Sequence, residues 1–126
     1  MKTILYANDL TTLGEKLKNM TQTQVSGIQV EDCHSIEHIS QILRQPLNNV
    51  SVLVLMVGSR DELIQFNSMS PLFDNIRVIL ILPDSKKDTF SLGLKLKPSF
   101  ISDVNSNLKD VVSVLEHIQN KKKENN

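Results

Sequence analysis

The sequence predicts one α/β domain, a five-stranded parallel sheet covered by helices on both sides, and three observations predict it. Val50–Val57 and Ile76–Leu82 are short apolar runs, interrupted only by Ser51 and by Arg77. Runs this short and this rich in β-branched residues suit strands buried on both faces, as in a parallel sheet under helices. Amphipathic stretches at helical spacing alternate with strand candidates along the whole chain. The length, 126 residues, is that of one domain able to bury a core without disulfide or metal.

The elements follow in order. Thr3–Ala7 is the first strand candidate, and Leu10, Leu13, Leu17 and Met20 form the stripe of the first helix. Gly27–Glu31 alternates, with Ile28 and Val30 on one face and Gln29 and Glu31 on the other, as a sheet edge does. Ile36, Ile39, Leu43 and Leu47 give the second helix. Strand 3 is Val50–Val57, followed by Leu63, Ile64 and Phe66. Strand 4 is Ile76–Leu82, followed by Phe90 and Leu94. Strand 5 is Ser99–Val104, and Leu108, Val111, Val112, Leu115 and Ile118 make the clearest helical stripe.

Start signals agree with this division. Ser59 with Glu62 forms a capping box, as Thr12 with Glu15 and, more loosely, Ser85 with Asp88 are expected to. Asn105 or Ser106 is expected to cap the last helix. Strands 1, 3 and 4 are the most apolar and belong in the centre; strands 2 and 5 belong at the edges. That ranking gives the order 2-1-3-4-5 of the flavodoxin-like three-layer sandwich, a (βα)5 unit. The domain is expected to span residues 1–120, with a polar tail, 121–126, that frays.

Composition narrows the function classes. Lys plus Arg (14) balances Asp plus Glu (14), so no broad field attracts nucleic acid or anionic lipid. No apolar stretch approaches the about 20 residues that span a bilayer. Met1–Tyr6 lacks the marks of a signal peptide, and Cys33 is the one cysteine. The expected location is cytoplasmic.

Five βα units, with a first strand reading Ile4-Leu5-Tyr6-Ala7-Asn8-Asp9, resemble the receiver domain of bacterial response regulators (CheY-like). The resemblance implies a magnesium-binding acidic pair at the end of strand 1 and an aspartate phosphoacceptor ending strand 3. It also implies a Ser or Thr ending strand 4 and a Lys-Pro ending strand 5. At these positions stand Asn8 and Asp9, then Val57, then Pro83, then Asp103 with Val104. Phe100 falls near the family's switch aromatic and is expected to be an ordinary packing residue.

The acceptor must be a carboxylate nucleophile, and valine offers none. The chain therefore resembles a pseudo-receiver: a non-enzymatic signalling module without cofactor. Its expected partner is another signalling protein or a second copy of itself, not nucleic acid or membrane. By the same resemblance the partner face includes Lys86, Lys87, Phe90 and Lys95.

Alternatives stay open. Asp61 would serve as acceptor if strand 3 ran longer, though negative charge in a first helical turn is its plainer role. Lys97-Pro98 matches the family dipeptide literally, but using it shortens helix 4 to one turn and leaves a long loop. A flavodoxin-like crevice would take a small ligand, nucleotide or flavin through Asn8, Asp9, Thr11, Ser59 and Asp84. There Asp9 repels anions, Thr11 and Thr12 are better read as helix caps, and Gly14 comes late. Cys33, His34 and His38 are the only soft-ligand cluster; with His117 remote, structural zinc lacks its fourth ligand. Lys121–Lys123 suits a helix C-terminus.

Overall fold

The computed structural model describes residues 1–7, 12–46 and 48–124. Five strands, β1 (Lys2–Ala7), β2 (Gln29–Cys33), β3 (Val50–Met56), β4 (Arg77–Leu82) and β5 (Phe100–Asp103), alternate with five helices. The helices are α1 (Thr12–Gln24), α2 (Ile36–Leu43), α3 (Arg60–Ser68), α4 (Lys87–Leu94) and α5 (Leu108–Glu124). All strand pairs are parallel, in the order β2-β1-β3-β4-β5. This is the flavodoxin-like α/β fold.

Alternation along the central strands divides the core. Ile4 and Tyr6, Leu53 and Leu55, and Leu80 and Leu82 pack toward α2, α3 and α4 with Ile39, Leu63 and Phe66. Leu5 and Ala7, Val52 and Val54, and Ile79 and Ile81 pack toward α1 and α5 with Leu17, Val111 and Leu115. Period-2 side chains on strands with both faces covered produce this split, and it explains why β3 and β4 read as unbroken apolar runs.

Several local features differ from the sequence reading. Gly27 takes φ 80° in the turn before β2, a conformation open to glycine. That turn moves the strand two residues along, so β2 ends at Cys33, which is buried at 1% exposure. A 3-10 turn, Ser70–Phe73, brings Phe73 into the core. Asn107, not Asn105 or Ser106, caps α5, its Oδ1 accepting from Lys109 N at 2.9 Å. Ser85 does not cap α4: Lys86 holds the cap position without a side-chain bond. Past α4, Lys97 takes φ 52°, closing the helix with its N–H on Leu94 O at 3.0 Å before Pro98. β5 thus begins after Lys97-Pro98, and α4 is two turns long.

One close approach sets the position of α4. A Cβ on Gly93 would meet Leu80 Cδ2 at 2.9 Å and both Ile101 Cδ1 and Leu82 Cδ2 at 3.1 Å. Only a residue without a side chain lets the helix sit this low over β4 and β5.

Candidate functional site

In open parallel sheets the functional crevice lies beyond the carboxyl ends of the strands, where strand order reverses. Here that point is between β1 and β3. Asn8, Asp9 and Thr11 lie outside the described residues.

Val57 follows β3 directly. Its N–H donates to Ile81 O at 3.0 Å, and its side chain is 1% exposed, packed in the core beneath α3. The tip of β3 therefore presents no nucleophile and no open space at that residue. Gly58 follows. Its N–H donates to Glu62 Oε2 at 3.1 Å. A Cβ there would stand 2.9 Å from the same oxygen, so glycine is what admits the carboxylate.

Ser59 caps α3, its Oγ accepting from Glu62 N at 3.3 Å. This is the forward half of the predicted capping box. The return half differs. Instead of reaching the Ser59 N–H, the Glu62 carboxylate takes the Gly58 N–H and the Tyr6 hydroxyl. Glu62 is 8% exposed and Tyr6 1%. The Tyr6 ring stands edge-on to Phe66 at 5.0 Å, which fixes where its hydroxyl points. β1, the turn after β3 and α3 are thus tied at one buried carboxylate. Asp61, the neighbouring acid, is exposed in the first turn of α3.

Pro83 is half-buried after β4 and offers no hydroxyl. Asp84 Oδ1 accepts from Lys86 N at 2.9 Å. That bond, and then the Thr89 hydroxyl, hold the Asp84 carboxyl below its ordinary value. Thr89 is fully buried and also accepts from Arg60 Nε at 3.1 Å, while Arg60 Nη2 lies 3.7 Å from Asp88. The starts of α3 and α4 are joined through these groups.

Asp103 ends β5, where its Oδ1 accepts from Asn105 N at 2.8 Å and from the Ser106 hydroxyl at 3.4 Å. Its position is explained by this turn, which a short acidic side chain closes well. Asn105 Nδ2 in turn donates to Ser85 Oγ at 3.2 Å. Phe100 is half-buried and packs against the α1–α5 side of the core.

Lys86, Lys87, Phe90 and Lys95 are all exposed on or beside α4. A hollow of ≈ 370 Å³ lies between α4 and the ends of β4 and β5, with Asp84, Lys87, Phe90 and Asp103 on its wall.

The other candidates separate. Cys33 is buried, which pushes its thiol pKa up despite an Sγ contact with Ser35 O at 3.4 Å. His34 Nδ1 lies 2.9 Å from Ala7 O. A carbonyl only accepts, so Nδ1 carries the proton and the ring bridges the ends of β1 and β2. His117 is exposed on α5, across the sheet from α2. No group of three or more metal-ligating side chains occurs among the described residues. Among those residues, no helix is long and apolar enough to cross a membrane.

Sequence reasoning missed Glu62 and Tyr6 as a pair. The signals were a lone tyrosine on a strand buried along nearly its whole length, whose hydroxyl needs a partner, and a glutamate three residues after a helix cap. No family model, curated protein or solved structure significantly matches the chain.

Proposed function

We propose that the protein is a cytoplasmic receiver-like module without a phosphoryl switch, acting by binding another protein. The burial of Val57 at the tip of β3 carries this reading. A hydrocarbon side chain at 1% exposure accepts no phosphoryl group, and no rotation of it brings a nucleophile into the crevice. Two residues at the ends of β4 and β5 support it. Pro83 supplies no hydroxyl to report a phosphoryl group, and Asp103 puts negative charge where a phosphoryl group needs a cation.

The Glu62 carboxylate counts against a nucleotide or flavin in the crevice. It takes up the Gly58 N–H, a natural phosphate donor, and adds negative charge beside it. What the molecule offers instead is a side with exposed apolar and basic groups: Phe90 with Lys86, Lys87 and Lys95.

The test is incubation with a small phosphodonor and magnesium, read by intact mass. The expected result is an unchanged mass. An acid-labile phosphoryl adduct overturns the reading, and its loss in Asp61→Asn would place the acceptor on α3.

A further inference from the structure

We propose that Arg60 and Asn67 fasten α4 to α3 at both of its ends, so that the side of the molecule carrying Phe90 and its neighbouring lysines stands in one fixed arrangement instead of a switched one. This deepens the reading above and rests on it only for what the fastened helix presents.

α3 and α4 follow the adjacent parallel strands β3 and β4 and pack on the same side of the sheet. They therefore run side by side in the same direction. At their first turns the tie is Arg60, the first residue of α3. Its Nε donates to Thr89 Oγ1 at 3.1 Å, and its Nη2 lies 3.7 Å from Asp88 Oδ2. Asp88 is open to solvent, where an ion pair contributes little, so the bond to Thr89 is the fastening. Thr89 is fully buried, and its hydroxyl also donates to the Asp84 carboxylate. A hydroxyl has one proton to give and lone pairs to receive, so both roles are filled. Asp84 Oδ1 takes the Lys86 N–H at 2.9 Å as well, which closes the loop between β4 and α4.

At the last turns the tie is Asn67. Its Nδ2 donates to Leu63 O at 3.1 Å within α3 and to Leu92 O at 3.2 Å across to α4. The amide has two hydrogens, one for each carbonyl. The bond within α3 aims the group, and the second bond spans the helices. Leu92 precedes Gly93, where α4 sits lowest over the sheet.

The opposite flank of α4 has no such ties. Among the described residues, no side chain of β5 or of the turn after it hydrogen-bonds α4. The one crossing, Asn105 Nδ2 to Ser85 Oγ at 3.2 Å, reaches the loop before the helix. A hollow of ≈ 370 Å³ lies there instead. Neither tie serves α3 itself. A cation in a first turn opposes the helix dipole, and asparagine is a poorer helix former than alanine. Alanine at either position therefore leaves α3 at least as good a helix, and any loosening of α4 comes from the lost ties.

Amide hydrogen exchange of the full chain, followed by NMR, tests the proposal. In a chain carrying Arg60→Ala and Asn67→Ala, the amides from Phe90 to Leu94 are expected to exchange roughly tenfold faster than in wild type, while those of α5 keep their rates. Should that chain fail to fold, Thr89 decides. Thr89→Val removes the hydroxyl at nearly constant shape and is expected to speed the same amides. Thr89→Ser keeps the hydroxyl and is expected to leave them near the wild-type rate. Unchanged exchange of α4 in the double variant, acceleration of α4 and α5 together, or Thr89→Val and Thr89→Ser chains that exchange alike overturns the proposal. If these ties fail the test while the chain still refuses a phosphoryl group, this inference falls alone. If they pass it and the chain accepts one, the earlier reading falls alone.

Discussion

Replacing Tyr6 with Phe takes away one hydroxyl and leaves the ring edge-on to Phe66. The lost interaction under test is the bond to Glu62 Oε1. Glu62 is 8% exposed, so little water replaces that donor, and the carboxylate retains the Gly58 N–H at 3.1 Å on its other oxygen. Hydrogen bonds to charged groups contribute about 1.5–3 kcal/mol, and a buried acceptor left short of a donor falls toward the upper end. Tyr6→Phe is therefore expected to destabilise the protein by about 2–3 kcal/mol. For a domain of this size each kcal/mol moves Tm by roughly 3–5 °C, giving a fall of roughly 6–15 °C. Urea unfolding followed by circular dichroism measures it, with an unchanged m-value showing that only stability moved. In a Glu62→Ala background the same change should cost less, by a coupling of about 0.5–3 kcal/mol. A loss below about 0.5 kcal/mol in the single variant, or strict additivity in the double, would refute the buried carboxylate as the tie between β1 and α3.

Three further outcomes are expected. Thr3 is 1% exposed and its Oγ1 has no hydrogen-bond partner among the described residues, so Thr3→Val should raise the urea midpoint, by about 1 kcal/mol in stability. Gly93→Ala gains about 1 kcal/mol of helix propensity. It overpacks the three methyl groups that a Cβ would meet at 2.9–3.1 Å, at about 1–3 kcal/mol, so thermal melting should show a net loss of about 1 kcal/mol. Asp84 should titrate by NMR below its ordinary 3.8, and Thr89→Val should move the midpoint up. Because the folded value is the lower one, whatever stability Asp84 contributes is complete above the ordinary value and disappears as pH falls through the folded one.

The sheet order was legible because burial on two faces leaves a simple trace. β3 and β4 are apolar at nearly every position, while β2 alternates, and ranking the strands by that property is enough to order them. Boundaries were less legible where backbone conformation, not side-chain pattern, decides. β2 starts after Gly27 because of its positive φ, and α4 ends through the left-handed Lys97 rather than through the proline alone. At the candidate site, the burial of Val57 was readable because it continues the apolar run of β3. Glu62 was not, because a capping-box glutamate has two possible donors in reach. Only the packing of Tyr6 against Phe66 decides which it takes. The turn that Asp103 closes with Asn105 and Ser106 was likewise not legible, because it depends on the backbone path after β5.

The ion pairs along β2 bear on what can join the sheet from that side. Lys2 holds Glu31 and Lys18 holds Asp32, so the margin of the sheet at β2 carries a row of fixed charges, and charge along an outer strand discourages a further strand from adding there.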